Sequence, residues 1–292
     1  WLEIKREFMR LLEWFEDERR IAYHIVGFLV TQSVGLARIR ELSKECTKSQ
    51  FDRRLRDCAY QSVVGAPTVP HEADLRATLT AHLESLEYGR DSKKIRSILL
   101  LFNIATLLEH ERSNMRFQFD EFKDDKLGWD LEHIRSVASD KITDHSAWLT
   151  DCLRFLETQT DDRKLVPAIN AYLAPRNTMA TDREFEELHL EILEYFGESD
   201  EQEVRNDIAN LTLLDRRTNR GYKNAPFAVK RQKVLSLDKS GIFIPLCTRN
   251  VFLKCYSAQS GNTIFWTDED GDAYQHAIIE TLVGFFLGKE AT

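Results

Sequence analysis

Trp129-Asp130-Leu131-Glu132-His133-Ile134 alternates apolar and polar side chains, the period of a β-strand with one buried face. The neighbouring patterns are mostly helical, so this run decides between an all-helical bundle and a helical protein with a small β component. A second run, Ile208-Ala209-Asn210-Leu211-Thr212-Leu213-Leu214, also reads as a strand. Polar residues 215–224 follow, and Pro226 suits the first turn of a helix expected to reach about Leu237. The order is therefore strand, strand, helix, with a helical insertion of roughly 138–205 between the strands. The finger so formed covers about 128–136 and 206–237.

Upstream the periodicity is helical. Ile4, Phe8, Leu11 and Phe15 form one stripe over residues 2–16. Further apolar segments run from Ile21 to Val30 and from Leu36 to Leu42. Phe51, Leu55 and Cys58 mark a fourth helix, and Gly65, Pro67 and Pro70 mark a loop. Helices at about 72–87 and 92–110 follow, the second capped by Ser92 and most apolar from Ile98 to Leu108. Residues 146–196 return to helix, with Ser146 and Thr181 as expected caps. Cys247 and Cys255 flank a strand-like segment and are expected as buried thiols. Asp268, Asp270 and Asp272 miss the calcium-loop pattern, because Gly271 comes at position four instead of six and Ile279 stands at twelve where an acid is needed, and read as a turn capping the last helix. The expected fold class is mainly α with a small β component. A helical module covers 1–118, and the domain holding the strands covers 119–292.

A chain of 292 residues with 42% apolar residues can bury a large core without disulfide or metal staples. The five cysteines include no CxxC pair, which argues against a structural zinc site and fits a reducing cytoplasm. No run of roughly 18 apolar residues is present, so no membrane span is expected. The chain starts at Trp1 inside a helical pattern and is expected to be a piece of a longer protein. A net charge of −8 argues at first against a nucleic-acid partner. The acid is concentrated, however: 181–203 holds ten acidic residues and one Arg, whereas 206–256 holds ten Lys or Arg against three Asp. Such a run is often only a solvated face. Here it surrounds the candidate residues below, so Arg216, Arg217, Arg220, Lys223, Lys230 and Arg231 are the expected DNA-phosphate contacts.

The chemistry these residues suit is phosphodiester hydrolysis with one divalent metal. That reaction needs a base for water, a group that aims the base, and oxygen ligands for a hard cation. Glu132 and His133 are adjacent, so a carboxylate can hold metal while the imidazole reaches water. Asn210 on the next strand can bond backbone and hold the base strand in place. Asn219, nine residues later, can supply a neutral oxygen ligand.

The runs Asp130-Leu131-Glu132-His133-Ile134, Asn210-Leu211-Thr212-Leu213-Leu214 and Asn219-Arg220-Gly221 resemble the HNH (His-Me finger) nuclease motif. More of the chain resembles a narrower family, the modification-dependent restriction proteins of the GmrSD and SspE type. The resemblance is carried by Trp14-Phe15, Tyr23-His24, Gly27-Phe28, Leu100-Leu101-Phe102-Asn103-Ile104 and Arg116-Phe117-Gln118-Phe119. Asn224, Phe227, Lys230, Arg231 and Thr248-Arg249-Asn250-Val251-Phe252 carry it further. It implies a ββα-metal (HNH) nuclease domain after a helical bundle, cutting or nicking DNA in phage defence with Mg²⁺ or Mn²⁺. It also implies an N-terminal ParB-like NTPase domain in the full-length protein, whose Asp-Gly-Gln-Gln-Arg run this chain lacks. His133 takes the general-base position, Asn210 the orienting position, and Glu132 and Asn219 the metal positions. Asp130 and Asn224 are secondary candidates, as a strand-end residue and a turn or cap residue. Two departures stand out: Arg135-Ser136-Val137 where the family often has Pro, and 76 residues between His133 and Asn210. The insertion accounts for the second. The alternative reading is a non-catalytic helical module that couples the NTPase to a partner.

Overall fold

A computed structural model describes residues 1–18, 20–109, 115–123, 129–136, 142, 144–159, 164–174, 182–198, 205–215, 224–258, 261 and 263–289. The protein is mainly helical, with one two-stranded antiparallel sheet. Among the described residues no helix is long and apolar enough to cross a membrane. The chain divides into two compact units, Trp1–Gly128 with Gln275–Thr292, and Trp129–Tyr274.

The first unit contains α1 (Leu2–Glu16), α2 (Ile21–Thr31), α3 (Leu36–Leu42), α4 (Lys48–Val64), α5 (Glu72–Glu84), α6 (Ser92–Glu109) and the short α7 (Phe119–Lys123). Helix α6 is the centre the sequence predicts, with every residue from Ser97 to Leu107 buried. Ser92 is its first residue rather than its cap. Helix α4 opens on a capping box: Thr47 accepts from the Gln50 N–H at 3.3 Å, and the Gln50 side chain accepts from the Thr47 N–H at 2.8 Å. Gly65, at φ 89°, closes it.

Helix α2 packs on α1, α4 and α6 and also anchors the segment before α7. The buried His24 accepts from the Phe117 N–H at 3.0 Å through Nε2, and its Nδ1 meets the Arg20 carbonyl at 2.8 Å. This pairing requires the neutral Nδ1–H tautomer, and burial holds the pKa of His24 down to about 4. Tyr23 donates to the Phe117 carbonyl at 3.0 Å. The apolar stripe of α1 is not a core face. Ile4, Phe8, Leu11 and Phe15 are exposed, and only Trp14 is buried, stacked 5.3 Å from Phe51.

The second unit contains β1 (Trp129–His133), α8 (His145–Leu156), α9 (Leu165–Leu173), α10 (Asp182–Tyr195), β2 (Leu211–Asp215), α11 (Phe227–Lys239) and α12 (Leu246–Phe252). The final helix, α13 (Asp268–Leu287), starts here, and its residues from Gln275 onward belong to the first unit. Strands β1 and β2 pair antiparallel, from Trp129 opposite Asp215 to His133 opposite Leu211. Helices α8, α9 and α10 fill the interval between the strands. Asp144, not Ser146, caps α8, accepting from the Ala147 N–H at 2.9 Å. Thr181, the other expected cap, lies outside the described residues.

Three further details correct the sequence reading. Ile208–Asn210 is a 3₁₀ turn rather than strand, because the Asp207 carboxylate accepts from the Ala209 N–H at 3.0 Å. The segment between the two late cysteines is helix α12, opened by Pro245 at its cap. Cys247 is buried there, but Cys255 is exposed. Asp268–Asp272 is the first turn of the last helix itself rather than a turn before it: Asp270 accepts from the Thr267 N–H at 2.9 Å and donates its own N–H to the Thr267 hydroxyl. Asp270 is also paired with the buried Lys254 at 2.7 Å.

Candidate functional site

The register of the sheet brings the end of β1 beside the 3₁₀ turn that precedes β2. Three successive residues are then pinned by their backbones. The His133 carbonyl accepts from Lys230 Nζ at 2.6 Å. The Ile134 N–H donates to the Asn210 carbonyl at 2.9 Å. The Arg135 N–H donates to Asn210 Oδ1 at 2.8 Å, and the Arg135 carbonyl accepts from Asn210 Nδ2 at 3.1 Å. The same Nδ2 reaches the Arg205 carbonyl at 3.1 Å. A buried amide satisfied on both its oxygen and its nitrogen is a rigid brace. Asn210 thus bonds the backbone just beyond His133. The His133 imidazole remains half-exposed, with Nε2 3.3 Å from Oδ1 of the exposed Asn206. Asn206 was not singled out in the sequence.

Successive strand residues face opposite ways. Glu132 accordingly leaves the strand on the other face from His133 and meets Lys230 Nζ at 2.7 Å. Only 1% of the Lys230 side chain and 6% of the Glu132 side chain is exposed. The sequence reading put Lys230 among DNA-phosphate contacts, but its ammonium is enclosed and committed to Glu132 and the His133 carbonyl. The cause is helical geometry: Phe227, Ala228, Val229 and Lys230, the first turn of α11, are all buried. A charge in such a place is tolerable only when paired and hydrogen-bonded, as here.

The approach to α11 is braced from three directions. Ser136 donates to the Ala225 carbonyl at 2.5 Å. Trp148 of α8 donates its indole N–H to the Asn224 carbonyl at 3.0 Å. Asn224 holds the left-handed conformation, φ 63°, a turn role that Asn tolerates better than most residues. Glu198 Oε1 accepts from the Phe227 N–H at 2.8 Å, which satisfies an orphan donor of the helix start. Burial pushes the pKa of Glu198 up to about 7, against the opposing pull of the Phe227 N–H, Lys230 and Arg135. Its Oε2 has no hydrogen-bond partner among the described residues. In the sequence Glu198 is one acid in an acidic loop, and nothing local marks it as buried.

Asp130 is half-buried, and its carboxylate accepts from the Leu131 N–H at 3.0 Å. Arg231 is also half-buried; burial lowers its pKa, and its Nε has no partner among the described residues. Asn219, Arg216, Arg217, Arg220 and Lys223 lie outside the described residues. A hard divalent ion wants several oxygen ligands at about 2.0–2.6 Å. Among the described residues no group of three or more His, Cys, Asp or Glu is placed to hold a metal. The carboxylate expected to ligate one, Glu132, is against an ammonium instead. The described residues, as arranged, do not fit a bound divalent ion.

Residues 180–280 match the family described as GmrSD restriction endonucleases, C-terminal domain. The matched stretch runs from the start of α10 into α13 and contains Asn210 and Lys230; β1 with His133 precedes it. No curated protein and no solved structure matches the chain.

Proposed function

We propose, taking the GmrSD-type C-terminal domain over 180–280 as the premise, that this chain is the nuclease part of a modification-dependent restriction protein. In this reading β1, β2 and α11 form an HNH ββα finger interrupted by a helical insertion. The observation that carries it is the brace of Asn210 on Arg135, which fixes the backbone beside a half-exposed His133. A fixed, solvent-accessible imidazole is what a general base for water requires.

The reaction is hydrolysis of a DNA phosphodiester. A water oxygen bonds to phosphorus in line with the departing 3′ oxygen, and the P–O3′ bond breaks. The water proton passes to the His133 imidazole, the departing 3′ oxygen takes a proton from solvent, and the products are a 5′-phosphate and a 3′-hydroxyl. Charge developing on phosphorus is met by the basic residues of 216–223 and by Arg231, whose guanidinium suits phosphate oxygens. One such site cuts one strand, so the expected product is a nick. In the intact protein, a ParB-like NTPase domain senses modified phage DNA and this part cuts it. A requirement for Mg²⁺ or Mn²⁺ belongs to the reading through Asn219, since Glu132 is held by Lys230, and no step is assigned to the ion. The Glu132–Lys230 pair favours a second reading, in which the fold is a non-catalytic module between the NTPase and a partner.

The test is relaxation of supercoiled plasmid by the 292-residue chain with Mg²⁺ or Mn²⁺, with and without EDTA, beside His133→Ala. Metal-dependent nicking that drops at least about 100-fold in His133→Ala is expected for loss of a general base. Nicking that survives His133→Ala removes the base assignment. Absence of nicking, also when an NTPase domain and nucleotide are supplied, favours the second reading.

A further inference from the structure

We propose that Lys230 is a positioning residue for His133, acting from inside the fold rather than on DNA. The inference rests on the reading of His133 as the base. The direction of a side chain at a strand end follows from the backbone of its own and adjoining residues. Asn210 fixes two of those, Ile134 and Arg135, through three hydrogen bonds. It makes none of these bonds to the peptide of His133 itself. The His133 carbonyl is held by Lys230 Nζ at 2.6 Å, from a different element, the first turn of α11. The base is thus clamped between the 3₁₀ turn on one side and α11 on the other.

The chemistry of the pair explains why a lysine serves here. An ammonium offers three donors at the end of a flexible stem, so one group can reach a carbonyl and a carboxylate at once. Glu132, at 2.7 Å, pairs with that ammonium in an enclosed place. Glu132 therefore acts on His133 through Lys230. An exposed, phosphate-binding lysine would need none of this, and Lys230 is only 1% exposed.

The experiment compares the 292-residue chain with its Lys230→Met variant, after circular dichroism and a thermal melt establish that the variant is folded. Two readouts are taken. The first is the His133 imidazole signal in the proton–carbon NMR spectrum, assigned by its loss in His133→Ala. The second is kcat and KM for plasmid nicking over a range of salt. The expectation is a shifted and broadened His133 signal and a kcat lower by about 100-fold, the scale of a misplacement near 1 Å. KM and its salt dependence stay within about twofold of the parent, because no phosphate contact is lost. A His133 signal identical to the parent overturns the proposal. So does a KM that rises while the salt slope flattens, which marks a phosphate contact. If the parent chain nicks nothing, the nuclease reading fails, and the His133 signal still decides the role of Lys230. Should Lys230→Met not fold, Lys230→Gln, whose amide is too short to span both partners, is read in the same way.

Discussion

Glu198 is a carboxylate that folding has removed from water, and its acidity records that removal. Its pKa is raised from 4.5 to about 7. Between those values the folded state holds a proton that the unfolded state releases. Stability therefore falls as pH rises through this window and levels off above it. Glu198→Gln keeps an oxygen for the Phe227 N–H and removes the buried charge. The variant should melt several degrees above the parent at pH 8.5, a gain on the order of 3 kcal/mol. At pH 4 the two should coincide. A pH-independent difference would mean that the carboxylate is not the group that titrates. At this scale legibility depends on residue type. Glu132, His133 and Asn210 stand out in the sequence because, with their flanks, they follow the order of the HNH motif they resemble. Lys230 and Glu198 do not, since an isolated charged residue is usually at the surface. Only the packing of α11 reveals that both are inside.

At the scale of elements, Gly27 shows how a small residue sets a contact. A Cβ built at this position of α2 would lie 2.3 Å from Cε2 of Phe119. The same ring lies 5.7 Å from Tyr23 and 5.0 Å from Phe117. Gly27→Ala should therefore destabilise the protein by about 1–3 kcal/mol, the range for overpacking, despite the better helix propensity of alanine. Urea unfolding measures this; an unchanged midpoint would show that the Phe119 ring gives way freely. Helices were legible because the 3.6-residue period survives in a single sequence, as in α4 and α6. The period does not say what a face packs against, so the stripe of α1 was legible as a helix but its exposure was not. The start of β2 was lost to a local bond, Asp207 to Ala209, that outcompetes strand pairing. Helix α12 was lost because its seven residues carry barely two turns of pattern.

At the scale of the whole chain, the last helix completes the first unit. Ile278, Ile279, Leu282, Val283, Phe285 and Phe286 of α13 are buried in the structure. Phe286 packs edge-on against Tyr60 at 5.1 Å, Arg56 donates to the Phe285 carbonyl, and Arg76 holds Glu280 through two bonds of 2.7 Å. Six buried apolar side chains at about 1.5–3 kcal/mol each match or exceed the whole stability of a typical domain. Truncation after Tyr274 should accordingly leave the first unit unfolded or aggregated. Retention of cooperative melting by the truncated chain would show that 1–128 is self-sufficient. Charge belongs to this scale too. The total of −8 hides a basic stretch of 206–256, and neither the sum nor the sequence separates its solvated members from an enclosed one such as Lys230.

The sheet has one more consequence, in time rather than space. His133 and Leu211 are partners across the sheet but 78 positions apart in the chain. At synthesis rates of about 5–20 residues per second, roughly 4–16 seconds separate their emergence from the ribosome. Throughout that interval β1 is an unpaired edge exposed to other chains, and the His133 backbone lacks both its turn and its helix. A nascent or stalled chain ending inside the insertion therefore carries His133 without the residues that hold it.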